Sequence, residues 1–321
     1  MNRLSDLNIS NQNLVIRVDM NVPIEDGVVT DNTRILACMP TIKFAQKSNA
    51  KILLVTHLGR PKEGTFDKKF SLKPVAAEVS KILDHEVDLI DDLDSTKIFN
   101  GSSDIQILEN IRFFEGEKSN CNKLGKSLSS IGDIYVFDAF GTSHREQSST
   151  HSAIVNSNLS CAGLLLEKEI DSLTKALNES QNPYTAIIGG AKVSTKLELI
   201  KNINSKADHI IVGGGIANTF LKAAGHEIGI SLCEESMVGI AKELLNDGKI
   251  ILPDTVITSK TFEGEDIKEK HISEVKKNEM ILDQFLNDEI DNVISSSSTI
   301  LWNGPLGVFE NKFFKEGTEQ L

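Results

Sequence analysis

Residues 184–225 read YTAIIGGAKVSTKLELIKNINSKADHIIVGGGIANTFLKAAG, and this stretch decides the fold. YTAII and HIIV are short β-branched runs ended by glycines. Each is followed by a segment of helical period, TKLELIKNI and IANTFLKAAG. A strand, a glycine turn and a helix, repeated, are the signature of a parallel sheet covered by helices. The alternation runs outward in both directions. Towards the N-terminus, LVIRV (14–18) reads as strand and TRILACMPTIKFAQK (33–47) as helix, irregular in its first part around Pro40. KILLVTH (51–57) reads as strand and LKPVAAEVSKIL (72–83) as amphipathic helix, and IQILEN (105–110), NKLGKSLSSI (122–131) and DIYVFDAF (133–140) continue the pattern. Towards the C-terminus, KIILPDTVIT (249–258) and TILWNGP (299–305) read as strands, 259–278 as a charged, solvated excursion, and SSSS at 295–298 as the end of a helix. Between the halves, LLLEKEIDSLTKALNE (164–179) is a long charged helix pattern with no glycine or proline break. The expectation is an α/β protein with two doubly wound parallel-sheet domains, 1–163 and 180–321, joined by the helix 164–179.

Composition agrees with that class. Hydrophobic residues make up 40% of the 321-residue chain and charged residues 25%, the balance of an ordinary globular protein. A formal net charge of −12 argues against nucleic acid or an anionic membrane as the main partner, and makes any local cluster of cations informative. Cys38, Cys121, Cys161 and Cys233 are widely spaced and form neither a CxxC pair nor a disulfide framework. The N-terminus lacks the apolar core of a signal peptide, and no apolar run is long enough to cross a bilayer. These features imply a cytoplasmic protein with reduced thiols.

Ligands of open α/β sheets sit beyond the carboxyl ends of the strands. In the first half those places carry Asp19, Asn21 and Arg34, then His57 and Arg60, then Arg112, then His144 and Arg145. One arginine beside a strand end is ordinarily a solvated charge. Four of them with a histidine on one edge of an acidic chain would repel, unless a small, multiply anionic ligand neutralised them. His57 reads equally well as a hydrogen-bonded structural histidine.

The second half offers three glycine-rich turns: Gly189-Gly190 leading into AKVSTK, Gly213-Gly214-Gly215, and Trp302-Asn303-Gly304-Pro305-Leu306-Gly307. Glycine lets backbone N–H groups approach a phosphate, and a helix N-terminus adds partial positive charge. None of the three is a Walker or GxGxxG fingerprint. Lys192 and Lys196, four apart around a helix start, can share one face and reach phosphate oxygens.

These strings resemble the phosphoglycerate kinase family. RVDMNVP (17–23), THLGRPKEG (56–64), LENIRFFEGE (108–117), DAFGTSHR (138–145), GGAKVSTK (189–196), VGGGIANTF (212–220) and LWNGPLGVFE (301–310) occur in the family's order and spacing. The resemblance implies two Rossmann-like domains, the first binding 3-phosphoglycerate or 1,3-bisphosphoglycerate and the second Mg²⁺ with ADP or ATP. It implies substrate contacts from Asp19, Asn21, Arg34, His57, Leu58, Gly59, Arg60, Arg112 and Arg145. On the nucleotide side it implies Lys192, Lys196, Gly213, Gly214, Asn303, Pro305 and Glu310, with Glu310 receiving the ribose hydroxyls. Arg34 and Lys192 are the implied catalytic pair, steadying the phosphoryl group in flight. No protein metal ligand is implied within these residues, and the family suggests a monomer.

The chain departs from the family in several places. Its last residues, Phe313 to Leu321, stand where the family continues with a GGGDT turn, a further strand and helix, and a tail. The second domain is therefore expected to be incomplete at its C-terminus, as part of a longer enzyme. Asp283-Gln284-Phe285-Leu286 replaces Asp-Ile-Gly-Pro, LPDTVIT (252–258) is shortened, Phe137 replaces an asparagine and Gln147 a histidine. The expected function is the glycolytic kinase. The alternative, for these residues alone, is a catalytically impaired phosphoglycerate-binding protein. A dinucleotide-dependent dehydrogenase shares the fold class, but GxGxxG is missing after the first strand.

Overall fold

Strand β1 (Asn13–Val18) sends Leu14, Ile16 and Val18 into one buried cluster and Val15 into another, as the two-residue period of a strand requires. A sheet fed from both faces has no wet side, so helices must cover both. The computed structural model describes residues 1–93 and 96–321, which divide into two units, Met1–Ser172 and Leu173–Leu321.

In the first unit a small hairpin of β2 (Ile24–Glu25) and β3 (Val28–Val29) leads to α1 (Thr33–Lys47), β4 (Lys51–Val55), α2 (Lys73–Leu83) and β5 (Asp88–Ile90). Then come β6 (Ile105–Leu108), α3 (Asn122–Ser129), β7 (Ile134–Asp138), α4 (Ala153–Asn156) and β8 (Ser160–Ala162). Six strands pair in parallel in the order β5-β6-β4-β1-β7-β8. The order steps outward from β1 to both sides, so the carboxyl ends of β1, β4, β6 and β7 gather where the winding reverses. Ile52 and Leu54 of β4 join the cluster of Leu14 and Ile16, together with Ile35 and Ile42 of α1 and Val75 and Val79 of α2. Leu53 and Val55 face the other way, onto Leu124 and Leu128 of α3.

Helix α5 (Leu164–Asn178) carries the chain across the division, giving Leu166 to a cluster of the first unit and Leu177 to one of the second. The second unit continues with β9 (Tyr184–Ile188), α6 (Leu197–Asn204), β10 (His209–Val212), α7 (Gly214–Ala223), α8 (Val238–Leu245) and β11 (Ile250–Ile251). It ends with β12 (Thr255–Ser259), β13 (Lys268–His271), β14 (Met280–Gln284), α9 (Asp288–Ser296), β15 (Thr299–Asn303) and α10 (Glu316–Gln320). Its parallel sheet runs β11-β10-β9-β15, with winding reversed between β9 and β15. Tyr184, Ala186 and Ile188 face one core and Ile187 the other. The molecule is thus α/β with two doubly wound parallel sheets.

Three local expectations change. Helix α1 is one element through Pro40, held by buried Ile35, Cys38, Met39, Ile42 and Ala45, whose burial outweighs the missing N–H. KIILPDTVIT is two strands rather than one: Pro253 lies between β11, an edge of the parallel sheet, and β12, the centre of an antiparallel sheet ordered β13-β12-β14. The charged stretch after it is solvated but structured, since its KEKH becomes β13 at the edge of that sheet. The serine run does close a helix, α9.

Candidate active site

After β1 the chain turns at Asp19, whose Oδ1 accepts the Asn21 backbone N–H at 3.2 Å while Oδ2 accepts from Arg34 Nη1 at 3.0 Å. Asn21 Oδ1 accepts the Gly59 N–H at 2.8 Å, tying the loop after β1 to the loop after β4. Asn110 holds the other side of that loop, accepting the Leu58 N–H at 3.3 Å and donating to the carbonyls of Leu58 and Phe70 at 2.8 and 2.9 Å. Gly59 sits at φ +59°, and a Cβ there would meet the Phe70 ring at 2.4 Å, so both backbone and space demand glycine. Arg112 donates Nη1 to the Gly59 carbonyl, and its Nε is buried without a partner among the described residues. A buried guanidinium edge left open is costly unless a ligand completes it.

The cations lie within each other's fields. Burial first, and then Arg145 and Arg17, with Arg60 behind them, depress the pKa of Arg112, against a smaller opposing pull from Glu117. Burial, followed by Arg17, Arg112, Arg145 and Arg34, pushes the pKa of His57 from 6.5 down to about 2, so its ring is neutral. Asp19, Asn21, Arg34, His57, Leu58, Gly59, Arg60, Arg112 and Arg145 therefore come together as one shelf at the carboxyl edge of the sheet.

One member escaped the sequence reading. Arg17, inside the strand string LVIRV, is 1% exposed, and its guanidinium reaches Ser149 Oγ from Nε at 2.9 Å, the Val18 carbonyl, and His57 Nδ1 from Nη2 at 3.3 Å. Ser149 in turn donates Oγ–H to Glu117 Oε1 at 2.6 Å and its N–H to Oε2 at 3.0 Å. An arginine at a buried position of an apolar strand was itself the signal. Such a charge needs a buried partner or a ligand.

In the second unit the loops after β9, β10 and β15 are stitched edge to edge. Gly189 N–H donates to the Asn303 carbonyl at 2.9 Å, Gly213 N–H to Ile188 at 3.0 Å and Gly214 N–H to Leu306 at 2.7 Å. A Cβ on Gly189 would fall 1.9 Å from the Pro305 carbonyl oxygen, and one on Gly213 would fall 2.6 Å from Leu306 Cα. Beside them lies a cavity of about 620 Å³, walled by the backbone of Gly190, Gly214 and Gly215 and by Leu232, Phe262, Leu282 and Val308, with Pro305 and Glu310 at its edge. Its apolar walls and few polar groups suit a flat aromatic ligand. A hollow of about 780 Å³ in the first unit, beside α3, is lined by serines, asparagines and Lys123 and Lys126, away from the strand ends.

The lysines are placed differently from the sequence reading. Helix α6 begins only at Leu197, so Lys192 lies in the loop and Lys196 at the helix cap, and they share no helical face. Lys196 Nζ instead donates to Asn303 Oδ1 at 2.5 Å. The loop of Lys192 is clamped by Glu234, which accepts from Ser194 N–H at 2.8 Å and Ser194 Oγ at 2.5 Å; those bonds first, and Lys192 among the smaller influences, lower the Glu234 pKa. Of the three glycine turns only Gly213–Gly215 opens a helix directly. Even there, Gly214 and Ile216 N–H donate to the carbonyls of Leu306 and Gly190. Nothing in the sequence marked Glu234 or the apolar walls.

Both halves resemble known proteins in the same way. The family model described as phosphoglycerate kinase matches residues 4–321. A phosphoglycerate kinase of Vibrio campbellii is 43% identical over 322 residues, spanning 99% of this chain and 83% of that protein. Among solved structures, the phosphoglycerate kinase of Coxiella burnetii aligns with TM-score 0.80 at 41% identity, over 99% of this chain and 83% of its own. The enzyme of Pyrococcus horikoshii aligns with TM-score 0.84 at 30% identity, over 100% and 84%. The match extends through both units and includes the loops that carry the arginine shelf and the glycine-walled cavity, and the chain belongs to the phosphoglycerate kinase family.

Proposed function

We propose that this chain transfers a phosphoryl group reversibly between 1,3-bisphosphoglycerate and ADP, giving 3-phosphoglycerate and ATP. The observation that carries the reading is the shelf of Arg34, Arg60, Arg112 and Arg145 around a neutral His57, on a chain of net charge −12. Guanidinium forks match the phosphate and carboxylate of phosphoglycerate. Asp19 holds Arg34 by a 3.0 Å pair, and Asn21 holds the Leu58-Gly59 loop against the ligand. In the second unit Gly214 and Pro305 border the base, with Gly213 behind them packed on Leu306; Glu310 faces the ribose, and Asn303 steadies Lys196 at the phosphates.

The chemistry asks for little else. An acylphosphate attacked by a nucleotide phosphate needs no general base; alignment and cancellation of charge on the equatorial oxygens suffice. Arg34 and Lys192 supply that charge in this reading. Magnesium enters with the nucleotide, and because it is held largely by phosphates and water it requires no all-protein cage. Among the described residues no three metal-ligating side chains cluster, and no helix is long and apolar enough to cross a membrane. The two ligands must meet and water must leave, so the reading includes closure of the two units during turnover. It also takes the protein as a cytoplasmic glycolytic enzyme, monomeric, with no nucleic-acid partner.

The test is ATP formation from 1,3-bisphosphoglycerate and Mg-ADP, with calorimetry of each ligand alongside. Turnover with both ligands binding supports the kinase. Binding of 3-phosphoglycerate without any binding of Mg-ADP would establish the phosphoglycerate-binding alternative, and failure to bind either would reject both.

A further inference from the structure

We propose that Arg17 is a positioning residue: held by Ser149 and Glu117, it locks His57 as the tautomer protonated at Nε2, so that the ring offers a neutral N–H donor to the bound anion. The proposal rests on reading the shelf as a phosphoglycerate site and assigns the group that prepares it.

The argument begins with what an arginine can do. A guanidinium has only donors, so the 3.3 Å contact between Arg17 Nη2 and His57 Nδ1 requires a lone pair at Nδ1 and places the ring proton on Nε2. The competing arrangement would give Nδ1 the proton and Asp19 the acceptor role, but Asp19 Oδ1 stands 4.0 Å away, beyond hydrogen-bond range. Asp19 is already engaged by Arg34 and by the Asn21 N–H.

Arg17 cannot drift from this pose. Its three nitrogens are each committed, Nε to Ser149 Oγ at 2.9 Å, Nη1 to the Val18 carbonyl and Nη2 to His57. Ser149 is fixed by both oxygens of buried Glu117, and its own carbonyl accepts from Tyr135 Oη at 2.6 Å. The relay Glu117–Ser149–Arg17–His57 runs beneath the shelf, with Arg17 and Glu117 each 1% exposed and His57 3%. Its upper end, His57 Nε2, bonds no other described residue. The charged groups acting on the ring are Arg17, Arg34, Arg112 and Arg145, with Asp19 beside it. A fifth charged donor, an imidazolium among four guanidiniums, would be expelled or would lose its proton. A neutral donor of fixed direction adds a hydrogen bond without adding repulsion.

The full chain, labelled with ¹⁵N-histidine, is examined without ligand at pH 7 by long-range ¹H–¹⁵N correlation, His57 being assigned by its loss in His57→Gln. The lock predicts the Nε2–H pattern alone in the wild type. Arg17→Lys, which keeps the charge but not the fork, and Ser149→Ala, which frees Nε, should both give mixed tautomers. Each should weaken 3-phosphoglycerate binding about tenfold, the worth of one well-directed hydrogen bond to a charged group. If Arg17→Lys does not fold, the wild-type spectrum and Ser149→Ala still decide. An Nδ1–H or evenly mixed wild type overturns the lock, as does a folded variant that keeps both the tautomer and the affinity. No binding of 3-phosphoglycerate to the wild type would overturn the phosphoglycerate reading itself, and is distinguished because the tautomer is read before any ligand is added.

Discussion

Arg34, in the first turn of α1, and His57, just past the end of β4, both belong to the shelf but enter the stability of the fold in different ways. Arg34 is a half-exposed side chain, paired to Asp19 at 3.0 Å. Such a pair contributes about 0–1 kcal/mol to folding. Replacing it in Arg34→Ala should therefore move the melting temperature by no more than about 2–4 °C. Its effect on the ligand should be larger, weakening 3-phosphoglycerate at least about tenfold in calorimetry, or about 1.4 kcal/mol. A large fall in melting temperature with unchanged affinity would make Arg34 structural instead. His57 is buried and neutral, with a folded pKa of about 2 against 6.5 when free. Below pH 6.5 the unfolded chain takes up a proton there and the folded chain does not, so stability rises with pH across that window and is lost as pH falls. Urea unfolding at pH 7 and pH 5 should show the wild type losing more stability than His57→Gln over that interval. An equal loss in both would remove His57 as the source.

At the scale of elements, the alternation of strand, glycine turn and helix was legible because period is a local property, and Leu14, Ile16 and Val18 against Val15 display it in one strand. What was not legible depended on contacts far along the chain. KIILPDTVIT reads as one strand because nothing local tells β11 and β12 that their partners are β10 and β14. Lys192 and Lys196 were placed on one helical face because the start of α6 is set by the loop's attachment to Glu234 and not by propensity. The shelf residues were readable as types at strand ends, whereas Arg17 was absorbed into its strand. The glycine turns, by contrast, make a sharp prediction about elements. Gly189→Ala puts a Cβ 1.9 Å from a backbone oxygen of the loop after β15, where neither side can yield cheaply. It should cost the second unit more than about 2 kcal/mol, in the range of overpacking changes, and weaken Mg-ADP binding with it. Gly239, in α8, has nothing within 4 Å of its would-be Cβ. Gly239→Ala should be neutral or stabilise by up to about 1 kcal/mol. Denaturant unfolding of the two variants in parallel checks the contrast; equal effects would mean that the contacts at Gly189 do not govern its loop.

Across the whole molecule, each unit has its own two-sided core. The first packs β1, β4 and β7 between α1 and α2 on one face and α3 on the other, and every proposed phosphoglycerate contact from Asp19 to Arg145 lies before the division at Ser172. The second buries β9 and β10 from both faces with residues after Leu173. Independent cores with independent ligand contacts imply that the first unit does not need the second in order to bind. Residues 1–172 produced alone should therefore fold cooperatively and bind 3-phosphoglycerate with the affinity of the full chain, to within about threefold, or roughly 0.7 kcal/mol. Binding should weaken as salt is raised from 10 to 150 mM on the order of what falling screening lengths allow, since the shelf is exposed enough at Arg34 and Arg60 to feel counterions. Calorimetry on both chains at two ionic strengths checks each part. A full chain that binds ten or more times more tightly than the segment would show that residues beyond Ser172 help to build the phosphoglycerate site. In that case the arginine shelf, complete as it is within the first unit, would not by itself be sufficient to hold its ligand.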